Sequence, residues 1–475
     1  MSQISRLEAL KEHNSQVKND SLVYKRIKTL FDEGTFTELN SLAKFEEKQV
    51  GVVTGYGMVN GATVFAFCQD SDVDGGAVSV AGCAKIKKVY EMAAKVGVPV
   101  VGIYDSVGAR LCEGADVLNA YGELLNAAGN ISGVVPHISV VAGVCAGSAA
   151  VLAASADVVL MNKNGEFFLT APFVTNAMGE KVEGAGSAEN ALKSGVVSLV
   201  EENCLVAIEK ARDIISMLPL NNLSEAPYTE YTEVDCSGLN ALADNADAYK
   251  AADVIATVFD HESAVVLGEG FGDSAITALA TLGGQAVGVV ATVDRLDKDA
   301  CSKIAKFVSV CDSFSVPVVT LVDCEGFKES AADELAGSVR DAARVANVYA
   351  NATCPKVSVI TKNAVGSAYV ALASKNAGAD MTIAWPCAYI APVSAEAAVS
   401  IMHADEVAAA EDKAACKANL IASYKAESVF NAANSGAVDA VIEPAATRAA
   451  LLNAMDMLAG KRVSNLPKKH GNMPL

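Results

Sequence analysis

The chain has 475 residues and carries 37 Lys and Arg against 56 Asp and Glu, a formal net charge of −19. Hydrophobic residues make up 52% and mean hydropathy is +0.30, which excludes a disordered chain. The acidic balance excludes nucleic acid as the main partner but leaves a phosphorylated ligand open, held locally by helix N-termini.

At roughly 100–200 residues per domain the length predicts two to four domains. Residues 1–20 are polar throughout and lack the apolar core of a secretion signal. The twelve cysteines form no CxxC pair, which points away from a metal site and toward a reducing compartment, so a cytoplasmic location is expected.

In chain order, residues 81–96 read as an amphipathic helix leading into a short Val-rich strand at 98–104, followed by Asp105-Ser106-Val107-Gly108-Ala109-Arg110. Residues 138–156 run without a charge over a length that meets the threshold for a membrane span. Their first part, 138–144, is β-branched like a buried parallel strand, and 145–156 reads as a small-residue helix. Pro136 and Asp157 bound the run with no cationic cluster or aromatic belt, so a buried strand turning into a helix is expected, and no span. Residues 218–260 are largely polar, acidic and turn-rich, as a connector should be. A helix at 301–313 and a strand at 316–323 follow, and the C-terminal part predicts helices at 395–402, 405–424 and 447–458. Strands alternating with helices predict an α/β fold with largely parallel sheets.

The chain repeats itself. Lys85-Ile86, Val98-Pro99-Val100-Val101 and Asp105 recur 218 residues later as Lys303-Ile304, Val316-Pro317-Val318-Val319 and Asp323. Pro136 and Gly147-Ser148-Ala149 recur 219 residues later as Pro355 and Gly366-Ser367-Ala368, and Ser194-Gly195 recurs after 241 as Ser435-Gly436. An offset that only grows requires insertions in the second copy. Two homologous domains of ordinary size are expected, at residues 1–222 and 261–475, joined by a linker at 223–260.

The repeated Gly-Ser-Ala stands where a buried strand gives way to an Ala-rich helix. The first N–H groups of a helix lack an internal acceptor and carry partial positive charge, so two of them form an oxyanion hole. Small residues there also serve simply to pack a helix on a sheet; the duplication favours a functional reading. Arg110 is a candidate to offset phosphate charge, or else forms a surface ion pair with Glu113. None of the five histidines stands beside a nucleophile, Ser148 lacks the glycines of a nucleophile elbow, and no Walker or dinucleotide motif occurs. His403 with Asp405 and Glu406 reads as a solvated helix face rather than a metal site, and Cys145 as an inert core thiol.

The stretch DSVGARLCEGADVLNAYGELLNAAGNISGVVPHISVVAGVCAGSAA from Asp105 resembles the acyl-CoA carboxyltransferase family of the ClpP/crotonase superfamily. That family includes propionyl-CoA carboxylase β subunits and methylmalonyl-CoA decarboxylase α subunits. Further matching segments are KRIKTLFDEGTFTELN from Lys25, GVVTGYG from Gly51, FLTAPFV from Phe168, KIAKFVSVCDSFSVPVVTLVDCEGF from Lys303, TKNAVGSAYVALASKNAGADMTIAWPCAYIAP from Thr361, AVDAVIEPAATR from Ala437 and KKHGNMPL from Lys468.

The resemblance implies two tandem crotonase-like domains, each a ββα-superhelix, the first on the acyl-CoA side and the second on the biotin side. It implies transfer of CO₂ between carboxybiotin, held on a separate biotin carrier protein, and the α-carbon of a short acyl-CoA. Propionyl-/methylmalonyl-CoA is the first expectation and acetyl-/malonyl-CoA the second. Both reactants become enolate-like, so two oxyanion holes are needed and a protein base is not. Carried over by position, Ser148 and Ala149 hold the thioester oxygen and Ser367 and Ala368 the biotin ureido oxygen. Gly108, Ala109, Arg110 and Gly147 fall at CoA-binding positions, and Gly366, Tyr369 and Val370 line the biotin and acyl pocket. No metal is implied.

Further partners implied are a biotin carboxylase subunit or a membrane decarboxylase subunit, with assembly as a homohexamer, a trimer of dimers. The chain departs from the family in having Gly-Ser-Ala for Gly-Gly-Ala at both turns and Val107 for a glycine. Bulk at Ala149 or Ala368 is expected to block turnover and spare the fold. The alternative is a biotin-independent crotonase-type hydratase, isomerase or decarboxylase using Glu113 or Asp105 as acid or base.

Overall fold

The structure is a computed structural model that describes residues 5–8, 10–12, 21–45, 48–243, 248–372, 374–464, 467–468 and 471–474. His13 and His470 lie outside the described residues. The chain divides into two compact units, Met1–Ser224 and Glu225–Leu475.

In the first unit, helix α1 (Leu22–Leu30) precedes an eight-stranded sheet. Its strands are β1 (Thr37–Leu39), β2 (Val52–Val59), β3 (Ala62–Gln69), β4 (Val100–Ser106), β5 (His137–Ala146), β6 (Val158–Asn162), β7 (Glu166–Phe168) and β8 (Leu199–Glu201). They lie in the order β1-β2-β3-β4-β5-β6-β8, with β7 beside the end of β5. β1, β2 and β3 pair antiparallel and the rest parallel. β4 is buried along its whole length, which is why it reads as a continuous apolar run rather than an alternating one.

Helices α2 (Val80–Val96), α3 (Ala115–Ile131) and α4 (Ser148–Ala154) connect the strands of this sheet, and α5 (Cys204–Met217) follows the last of them. α2 starts where Ser79 accepts the Gly82 N–H and stops at Gly97 in the left-handed conformation, φ 71°. Its Cys83, Ile86, Val89, Tyr90 and Ala93 recur at helical spacing and enter the core.

The second unit repeats the plan with β9 (Val265–Leu267), β10 (Ala275–Leu282), β11 (Gln285–Thr292), β12 (Val318–Cys324), β13 (Lys356–Val365), β14 (Met381–Ala384), β15 (Tyr389–Ala391) and β16 (Ala440–Val441). Their order is β9-β10-β11-β12-β13-β14-β16, with β15 beside the end of β13. Helices α6 (Lys298–Ser313), α7 (Ser338–Asn351), α8 (Gly366–Ala371), α9 (Ala395–Met402) and α10 (Lys413–Asn434) accompany it.

Three expectations change in detail. The run at 138–156 is a buried strand and then a helix, but Cys145 and Ala146 belong to the strand; the helix waits for Gly147, whose φ of 58° makes the corner. The single helix expected at 405–424 is two, Ala404–Ala409 and α10, because the Asp412 carboxylate accepts the Ala415 N–H and restarts the helix. Within the stretch expected to be a linker, Ala251–Val258 is a helix whose Val254, Ile255 and Val258 enter the second core. Its neighbour Asp260 is buried, receives Arg448 at 2.6 Å and accepts the Gly283 and Gly284 N–H groups. Among the described residues no helix is long and apolar enough to cross a membrane.

His137 opens β5 in the first core, its Nε2 3.0 Å from the Tyr90 hydroxyl. Burial drives its pKa from 6.5 down to about 3. The folded state therefore binds fewer protons than the unfolded one, so the stability it supports is present above 6.5 and lost as pH falls toward 3. The double variant Tyr90→Phe/His137→Phe is expected to lose less unfolding free energy between about pH 7 and pH 4 than the wild type, measured by urea titration at each pH. Equal losses would remove His137 from the acid sensitivity.

Candidate active site

The first unit brings two loops to one end of its sheet. After β4 the chain turns at Gly108, φ 107°, whose N–H donates to Ser106 Oγ at 3.1 Å. The Gly108 carbonyl accepts the Val78 N–H at 2.8 Å, and Arg110 returns its own N–H to Val78 at 3.0 Å. Gly76, φ 71°, lies so close that a Cβ there would land on the Asp105 carbonyl. A Cβ on Gly108 would sit 3.5 Å from the Ala146 carbonyl, so this loop lies beside the end of β5. There Gly147 donates to the Phe168 carbonyl at 3.0 Å and α4 begins. The N–H groups of Ser148 and Ala149 fall in the first turn, where no intrahelical acceptor exists.

The Gly108-Ala109-Arg110 and Gly147-Ser148-Ala149 segments are thus brought together. Arg110 is not on the surface. It is buried, 3.0 Å from Asp74 and 3.7 Å from Glu113, and the Glu113 carboxylate also accepts the Val80 N–H at 2.6 Å at the start of α2. Asp105 is buried with Arg26 at 2.9 Å. Both carboxylates named as alternative acids or bases are held in ion pairs. Burial pushes the Cys145 thiol far above its ordinary range, as suits an inert core group.

The second unit reproduces this backbone. Gly326, φ 118°, accepts the Leu296 N–H at 2.9 Å, and Lys328 returns its N–H to Leu296 at 2.8 Å. Cys324 Sγ lies 3.5 Å from the Gly326 carbonyl where Ser106 Oγ lies 3.4 Å from that of Gly108. Gly366, φ 64°, opens α8, with Ala368 fully buried and Ser367 exposed.

Gly366, Ser367, Tyr369 and Val370 line a cleft of about 1150 Å³. Burial lifts the Tyr369 phenol to about 12, so it stays protonated. The far wall, including Ile401, Met402 and Tyr424, comes from α9 and α10. Residue patterns alone missed that wall. The signal available was the jump in repeat offset from 219 to 241, which places an insertion there. His403 stands beside it with Nδ1 2.7 Å from Glu406 and Nε2 3.1 Å from the Tyr424 hydroxyl, so both ring nitrogens face protein groups.

Two mixed sheets, each ending in a glycine corner that presents helix-start amides, define a tandem crotonase-like α/β protein. The sequence matches the carboxyl transferase domain over residues 14–473. It is 37% identical to the methylmalonyl-CoA decarboxylase subunit alpha of Propionigenium modestum, covering 95% of this chain and 92% of that one. It is 36% identical to the methylmalonyl-CoA carboxyltransferase 12S subunit of Propionibacterium freudenreichii subsp. shermanii, covering 94% and 90%. A solved transcarboxylase 12S, a hexamer and multienzyme core with methylmalonyl-coenzyme A and methylmalonic acid bound, superposes with TM-score 0.90 at 35% identity over 98% of this chain and 94% of that one. The chain belongs to the carboxyl transferase domain family.

The burial of Arg110 sets an expected outcome. Arg110→Met leaves two carboxylates without their shared cation and should destabilise the first unit by about 3 kcal/mol in urea unfolding. An unchanged midpoint would show that the Arg110 ion pairs contribute nothing to the fold.

Proposed function

We propose that this chain is the carboxyltransferase subunit of a biotin-dependent acyl-CoA carboxylase or decarboxylase. In this reading it moves a carboxyl group between biotin on a separate carrier protein and the α-carbon of a short acyl-CoA, with propionyl-/methylmalonyl-CoA the first choice. The observation that carries the reading is the duplicated corner: each unit ends a buried strand in a positive-φ glycine followed by helix-start amides.

The N–H groups of Ser148 and Ala149 stabilise the charge that develops on the thioester oxygen, and Gly108, Ala109, Arg110 and Gly147 shape the CoA side. Donors aimed at a developing oxyanion act without reorganising at the moment of reaction. Ser367 and Ala368 supply the matching pair in the second unit. The cleft suits a compact ring with one carbonyl oxygen, since Ser367 lines it together with Val370 and Tyr389, which add apolar surface. Biotin, when bound, supplies the carboxyl group and the basic site for the α-proton, so no side-chain base is required of this chain. The partners in this reading are the carrier protein and a biotin carboxylase or membrane decarboxylase subunit, with a cytoplasmic homohexamer as the working assembly.

Ala149 and Ala368 are 1% and 0% exposed, so bulk at either overpacks the core and destabilises the fold; they are poor probes. Proline within the first helical turn removes one N–H that has no intrahelical acceptor, with little effect on the helix. Ser148→Pro and Ser367→Pro are each expected to lower kcat by roughly 10²-fold or more, with the melting temperature retained. The assay is turnover of methylmalonyl-CoA with free biotin as acceptor. Turnover independent of biotin, or full activity in both proline variants, would overturn the reading.

A further inference from the structure

Both mixed sheets contain the same irregularity at the same place, between two parallel strands. Tyr104 pairs with Val141 and Ser106 with Cys145, so the single residue Asp105 stands opposite three residues of β5. Val322 pairs with Ile360 and Cys324 with Ala364, so Asp323 stands opposite three residues of β13. At each bulge the longer strand also changes neighbour. β5 runs beside β6 through Val141 and beside β7 from Val144; β13 runs beside β14 through Ile360 and beside β15 from Asn363.

A buried carboxylate fills each bulge. Asp105 Oδ1 accepts the Val144 N–H and Asp323 Oδ1 the Asn363 N–H, both at 3.3 Å. In the first unit the fit admits no side chain, because a Cβ at Gly143 would land on the Asp105 carboxylate. Each aspartate is itself held from the preceding strand, Asp105 N–H by Gln69 Oε1 at 3.0 Å and Asp323 N–H by Thr292 Oγ1 at 2.9 Å. Ser71 and Arg26 fix the other Asp105 oxygen at 2.8 and 2.9 Å, and Asn363 Nδ2 adds a second bond to Asp323 at 3.0 Å.

We propose that Asp105 and Asp323 are positioning residues for the reaction: each carboxylate fixes the bulge that aims the last residues of its strand, and hence the amides of Ser148-Ala149 or Ser367-Ala368. The inference rests on the carboxyltransferase reading. From Val144 to Gly147, and from Asn363 to Gly366, only three peptide units separate the anchored N–H from the corner. An error in the direction of that short lever is carried to the amides, and a displacement near 1 Å at a reacting centre costs on the order of 10²-fold in rate.

Asp323 gives the cleaner test, since Asp105→Ala strands the buried Arg26 and threatens folding. Asp323→Ala is expected to lower kcat for free-biotin-dependent turnover of methylmalonyl-CoA by roughly 10- to 10²-fold, with the KM for the CoA ester unchanged. Asp323→Asn keeps an oxygen that accepts the Asn363 N–H and is expected to return kcat to within about threefold of wild type. Amide hydrogen exchange supplies a readout independent of activity. In Asp323→Ala it should quicken over residues 361–368 by roughly tenfold or more and stay unchanged over 141–149.

Asn behaving no better than Ala, or exchange that is unaltered or quickened throughout the second unit, overturns the inference. A wild type that transfers nothing overturns the carboxyltransferase reading instead. In that case localised exchange in Asp323→Ala still supports the positioning of the turn, and its absence overturns it.

Discussion

A buried parallel strand must hand over to a helix without burying unpaired backbone, and that constraint organises both halves of this protein. The strand's carbonyls and amides are consumed by its neighbours, but the first amides of the following helix have no acceptor within it. At Gly147 and Gly366 the chain turns through positive φ, open to glycine at little strain, and sets those amides at the end of the sheet. The handover therefore leaves hydrogen-bonding capacity unspent at a fixed place. In the proposed reaction an enolate oxygen takes up that capacity, and no catalytic side chain is recruited. The titratable groups nearby serve the scaffold, as the ion pairs of Asp105, Arg110 and Glu113 show.

Much of this was legible in the residues. The offset of 218 between Lys85 and Lys303 anticipates two units of one plan, and both lysines prove buried on equivalent helices. The charge-free run at 138–156 resolves into strand and helix because β-branched residues precede small ones. The residues leave the handover open by a few positions because Cys145 and Ala146 suit either state, and only the glycine's dihedral decides.

What stayed hidden depended on long-range contacts. Residues 251–258 were lost in an acidic neighbourhood although Val254, Ile255 and Val258 carry a helical stripe. Where α9 and α10 form the cleft wall, the first copy has only the short helices Pro172–Ala177 and Ala188–Lys193, so the jump in offset marks the place of the wall but not the residues that line it. The match of Asp105 to Asp323 was visible, but its meaning required the strand register, which a one-dimensional pattern does not contain. The spacing of Arg110 and Glu113 shows a pair but not its depth, since three-residue spacing is the same on a surface and in a core.

The two copies settle the charge of their buried aspartates by different means. Arg26 comes from α1, the helix that precedes the edge strand of the first unit, and its guanidinium meets Asp105. The helix in the same place in the second unit, Ala251–Val258, buries only Ala251, Val254, Ile255 and Val258. There the charge of Lys362 and an amide from Asn363, both on the bulged strand itself, attend Asp323. Backbone shape survived the duplication while the electrostatics diverged, so the halves are no longer interchangeable parts. A second-copy helix grafted into the first would leave a negative charge in the core with no cation to meet it, and two copies of the first half would be tied to two N-terminal helices. The ancestral symmetry persists in the main chain and in the two aspartates, and has been lost in the side chains that attend them.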